Sequence, residues 1–129
     1  MSYTIDRTIT GEDFDTVVER TRAALADKGF GVLTEIDVKA TMKKKIDVEM
    51  ADYLILGACN PKMANEAIKL EPRVGAMLPC NVILRKTGEN ETMVSAIDPV
   101  ASMQAIPNET LKAVAVQVRE MLAGAVDAV

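Results

Sequence analysis

Two Cys-Asn pairs, Cys59-Asn60 and Cys80-Asn81, are the residues of this chain with the widest chemical scope. An ionised thiol is a nucleophile, a redox centre and a ligand for soft metals, and an amide beside it can bind polar groups or orient a carbonyl. Cys59-Asn60-Pro61 follows an apolar run and leads into a helical pattern, with Asn60 suited to the cap and Pro61 to the first helical position. Cys59 then faces the first-turn N–H groups of a helix, a position that favours anions. Cys80 opens the next strand pattern. If the two strands are antiparallel neighbours, both sulfurs share one end of a sheet and form a candidate redox or soft-metal pair. The twenty residues between them match neither a CxxC motif nor zinc-finger spacing, and two thiolates do not complete a tetrahedral site, so no metal and no cofactor is expected. The plainer reading is that both are small buried hydrophobes, and alternation with Val82 and Leu84 supports it for Cys80.

Other candidates are weaker. Asn60 and Asn81 can equally be turn or helix caps. Asp98, followed by Pro99, is with Glu35 and Asp37 a carboxylate near a strand end, and it can simply terminate the strand. Lys39, Lys43, Lys44 and Lys45 form a basic patch that could hold a phosphate or carboxylate, although a solvated helix face is the commoner role. The eight methionines fall mostly on apolar stripes, as at Met42, Met63 and Met121, and read as core filler.

Histidine is absent, which excludes Ser-His-Asp and Cys-His catalysis, imidazole zinc sites and the usual near-neutral proton shuttle. Aromatic residues make up only 3% and the net charge is −4, so the chain lacks both the stacking platforms and the basic groove of a nucleic-acid binder. No apolar run reaches the ~18 residues of a membrane span, and the opening MSYTIDRTITGEDF has no apolar signal core. A cytoplasmic location with no membrane contact is therefore expected.

The elements that must position these residues follow from periodicity. Residues 1–129 suit a single domain. Ser2 to Ile9 alternates as a strand, and Thr10-Gly-Glu-Asp13 reads as a capping box for a helix over Phe14–Lys28, stopped by Gly29. Phe30 to Asp37 reads as a strand with Phe30, Val32 and Ile36 inward, and Asp37 caps a short helix over Val38–Ile46. Tyr53 to Cys59 is apolar on both sides, so a central strand covered on both faces is expected. A helix with Met63, Ala64, Ala67, Ile68 and Leu70 inward precedes Pro72. Cys80–Lys86 and Thr92–Ile97 form a hairpin, and Leu111–Val126 a long final helix. The order β-α-β-α-β-α-β-β-α indicates an α+β fold: a mostly antiparallel sheet with helices on one face. The other face, still apolar, calls for a homodimer.

Four segments together closely resemble the bacterial and archaeal family known as domain of unknown function 302: GFGVLTEIDVKATMKKK (29–45), LGACNPKMANEAI (56–68), LPCNVIL (78–84) and SAIDPVASM (95–103). The likeness spans Thr16 to about Val126. It implies a fold like that of the TATA-binding protein, β-α-β(4)-α with a curved antiparallel sheet, and homodimers. The family's characteristic segments fall on Cys59-Asn60-Pro61, Pro79-Cys80-Asn81 and Asp98-Pro99, while Asp47 stands where a glycine is expected. The family has no established activity, and sharing a fold with a DNA-binding protein does not carry DNA binding with it.

The first functional expectation is a dimeric module binding a small ligand or protein segment in an apolar pocket bordered by Asn60, Asn81 and Asp98. The second is thiol redox or soft-metal chemistry, with Cys59 as the reactive thiol and Cys80 as its partner. The third is a purely structural part in an assembly.

Overall fold

The structure is a computed structural model that describes residues 2–129. Five strands, β1 (Thr4–Thr10), β2 (Gly31–Asp37), β3 (Tyr53–Cys59), β4 (Cys80–Gly88) and β5 (Glu91–Ile97), form one open sheet in the order β1-β5-β4-β3-β2. Every pairing is antiparallel. The helices are α1 (Phe14–Asp27), α2 (Val38–Ile46), α3 (Pro61–Leu70), α4 (Pro99–Ser102) and α5 (Glu109–Asp127), with a 3-10 segment at Pro72–Met77. The α+β class and the antiparallel sheet agree with the sequence reading, whose element order lacks α4 and the 3-10 segment.

Register explains the core. Leu56 lies opposite Val82, Val82 opposite Ala96, and Leu84 between Leu54 and Val94, so these side chains share one face of the sheet. That face buries against Val17 and Leu25 of α1 and Leu122 and Ala125 of α5. Complete burial of a leucine such as Leu56, Leu84 or Leu122 contributes about 2 kcal/mol each. A second, smaller cluster, Ala67, Val74, Met103, Leu111 and Ala115, seats α3 on the first half of α5. The far end of α5 is held by Arg7 of β1, whose Nη1 donates to the carbonyls of Val126, Asp127 and Val129, a cation placed at the negative end of the helix dipole.

Among the described residues one buried hydroxyl has no partner. Thr92 is 1% exposed, opposite Ile9 on the core face, and its Oγ1 makes no hydrogen bond. Thr92→Val keeps the shape and removes the orphan, so it is expected to stabilise the fold by about 1 kcal/mol in urea unfolding. An unchanged or lowered midpoint would show that the hydroxyl is solvated.

Several local expectations need correction. The cap of α1 is Asp13, whose Oδ1 accepts the Thr16 N–H, because the strand pairing of Thr10 with Glu91 keeps Thr10 in β1. Ile36 does not face inward but is 48% exposed: a bulge between Val32 and Thr34 inserts a residue and exchanges the faces beyond it. β3 is interior, but the middle strand is β4, because β5 and β1 add to its other side. Ile68 of α3 is 44% exposed, leaving Ala67 as the buried contact of that helix. Asp47, by contrast, has φ +55° at the end of α2, the left-handed conformation that explains why a glycine suits this position.

Candidate functional site

The antiparallel pairing of β3 with β4 sets Cys80 opposite Ala58, one residue from Cys59. Both sulfur-bearing strand ends therefore lie at the same end of the sheet. There they line one cavity of about 40 Å³, closed over by α3 and floored by α5 through Leu111, Val114 and Val118. Cys59 is half-buried and stands where β3 runs into α3, while Cys80 is only 7% exposed. Burial pushes the Cys80 thiol up to about 11, and the adjacent Cys59 adds to the rise. Cys80 thus rests as a neutral thiol.

Asn60 joins this wall, but its Oδ1 is committed, accepting the Met63 N–H at 3.2 Å as the cap of α3. Pro61 follows as the first residue of the helix. The cap sets the direction in which α3 leaves the sheet, and Met63 and Ala64 of that helix line the same cavity as the two cysteines.

The other two residues expected at this site are elsewhere. Asn81 pairs with Gly57 and is exposed on the face of the sheet opposite Cys80, since neighbouring strand residues alternate. Asp98 caps α4 by accepting the Val100 and Ala101 N–H groups and pairs with Arg119 at 2.8 Å. Burial acts to raise its carboxyl pKa, yet Arg119 and the two backbone donors outweigh this and hold it below the usual carboxylate value. Asp98 faces a separate groove with Lys112 and Arg119. The expected pocket bordered by Asn60, Asn81 and Asp98 does not form.

The lysine patch is largely neutralised. Lys43 bonds Asp47 at 2.6 Å and Glu49 at 2.8 Å, which raise its pKa, and Lys39 lies 3.5 Å from Asp52. Lys44 and Lys45 are exposed in the last turn of α2. Cations there complement the negative end of the helix dipole, which accounts for the run and disfavours an incoming anion.

What the sequence reading missed is sulfur of a second kind. Met63 of α3 and Met103, just after α4, line the same cavity as the two cysteines. In the sequence Met63 reads as a stripe residue, and its position four residues after Cys59, across a helix cap, is the available signal. Nothing in the sequence brings Met103 near. Among the described residues no three Cys, Asp or Glu side chains converge on a point that could hold a metal ion.

No curated protein matches the chain. Among solved structures it is similar to the crystal structure of an uncharacterized conserved protein DUF302 from Bacillus stearothermophilus, at a TM-score of 0.90 and 23% identity over 98% of each chain, a likeness that shows the fold. No helix among the described residues is long and apolar enough to cross a membrane. The model of the family described as "Domain of unknown function DUF302" matches residues 5–129, and the chain therefore belongs to that family.

Proposed function

We propose that this protein is a non-enzymatic, homodimeric binding module that holds a very small ligand at the joined ends of β3 and β4. The observation that carries this reading is one apolar cavity walled by Cys59 and Cys80 from two strand ends and by Asn60, the cap of α3. At about 40 Å³ it lies far below the roughly 300–1,000 Å³ of pockets that enclose organic metabolites, so its occupant has only a few atoms. An enzyme reading lacks support, because the cavity wall offers no carboxylate or lysine as general acid or base. Thiol-disulfide exchange is the weaker reading, since it needs the thiolate of a buried Cys80 held up to about 11.

The dimer contact proposed is the sheet face turned away from α1 and α5. Tyr53, Ile55, Ile83 and Met93 stand there half-buried around Arg85 and Ser95, an apolar patch suited to a second copy. Two measurements test the proposal. Sedimentation is expected to give a dimer for the parent and a monomer for Ile83→Asp. Native mass spectrometry of protein purified from its own cells is expected to show a small retained mass that is lost in the cavity-filling Ala64→Leu variant. A monomeric parent would remove the dimer, and identical bare masses for both proteins would remove the ligand site.

A further inference from the structure

The cavity wall is unusual in composition. It takes about an eighth of the chain yet includes four of the ten sulfur-bearing residues, Cys59, Met63, Cys80 and Met103. They arrive from the end of β3, the first turn of α3, the start of β4 and the residue after α4. The remaining wall is apolar apart from Asn60, whose amide oxygen already serves the helix cap.

Donor chemistry narrows what such a wall can hold. Magnesium, calcium and manganese require oxygen ligands, and the wall presents no carboxylate. Zinc requires four strong nitrogen or thiolate donors, of which two are present here, and a thioether is a poor substitute. Thiolates and thioethers together select soft ions, copper(I) above all. Charge points the same way. A monovalent cation balanced by one thiolate is a neutral unit, the form that an apolar wall accepts at least expense in desolvation.

Resting on the reading of this cavity as a binding site, we infer that its ligand is a soft monovalent metal ion, copper(I) in the first instance, held by the sulfurs of Cys59 and Cys80 with the thioethers of Met63 and Met103 completing its surroundings. Half-buried Cys59 is the point of entry: its sulfur forms the first bond to the ion, and its proton leaves to solvent at the cavity mouth. Cys80, which keeps its proton so that the unit stays neutral, and the thioethers then replace the ion's remaining small ligands. Four sulfurs on four elements also give the ion a role in clamping α3 onto the sheet.

The test is an anaerobic titration of the reduced full-length protein with copper(I), supplied as its acetonitrile complex, against a coloured copper(I) chelator. One ion per chain is expected to be withheld from the chelator. Cys59→Ser should abolish retention, and Met63→Leu with Met103→Leu, which preserve side-chain volume, should weaken it roughly tenfold. Met42→Leu, on exposed α2, should leave it unchanged. No retention, or unchanged retention in the double Met variant, would overturn the assignment, as would equal retention of zinc against a chelator of similar strength. Ala64→Leu separates the two levels of the argument. If this variant loses a natively retained mass while the parent ignores copper(I), the cavity is a site and the metal is wrong; if it binds copper(I) as the parent does, the ion lies elsewhere and the inference fails.

Discussion

Gly57→Ala is expected to lower the unfolding free energy by about 3 kcal/mol, with a fall in the thermal midpoint of roughly 10 °C. Gly57 lies in mid-β3, on the face away from α1 and α5, between Thr34 of β2 and Asn81 of β4. A Cβ at this position would collide with Oγ1 of Thr34 and lie 2.7 Å from Cγ of Pro79. The threonine can rotate away, but the proline ring cannot, so the start of β4 must move. Thr34→Ala combined with Gly57→Ala should therefore recover only part of the loss, which a double-mutant cycle in urea will measure. Full recovery would show that Pro79 yields. Because Pro79 immediately precedes Cys80, the same displacement should disturb the cavity wall, and Gly57 acts as a positioning residue for the candidate site.

The second large effect is alkaline. The folded protein holds the Cys80 thiol up to about 11 by burial, with Cys59 adding to it, whereas the unfolded chain ionises near the ordinary value of 9.0. The folded state keeps a proton that the unfolded state releases. This contribution is therefore present in full below the ordinary thiol value and is lost as pH climbs through the folded one. Two pKa units correspond to about 3 kcal/mol, lost between about pH 9 and pH 11. The quantity to measure is the difference between the parent and Cys80→Ala in urea unfolding. The variant starts less stable because of the cavity it creates, and the gap is expected to close as pH rises. Parallel curves would mean that water reaches Cys80. Iodoacetamide at neutral pH gives an independent check: it should label Cys59 and spare Cys80 until denaturant is added.

The two effects share a cause in the close approach of β3 and β4 at one sheet end. There the backbone of Gly57 admits Thr34 and Pro79, and beyond it α3 covers a sulfur-lined space. The binding proposal, the copper(I) inference and both predictions all depend on that packing.

Much of the architecture was legible in the residues. Asp37 caps α2 and Asn60 caps α3 as read, Gly29 takes φ +85° after α1, and β3 and α2 carry their expected bounds. These features depend on chain neighbours a few residues apart, where capping oxygens, left-handed glycines and hydrophobic period act directly. The errors lie where distant partners decide. Ile36 changed face because a bulge against β3 shifted the alternation, and Thr10 stayed in β1 because it pairs with Glu91, eighty-one positions along the chain.

The same division runs through the candidate site. By itself the sequence determined the inventory: two thiols, no histidine, a proline-started helix after Cys59 and a family membership that the whole-chain match shows. Only the tertiary structure decided which of these residues meet. Strand register brought Cys80 beside Cys59, pleat parity sent Asn81 to the opposite face, Arg119 and the α4 cap drew Asp98 into another groove, and helix packing added Met63 and Met103 to the wall. The physical reason is that composition and helix capping are settled among near neighbours, whereas a cavity is the space left by elements that pair and pack across the whole chain.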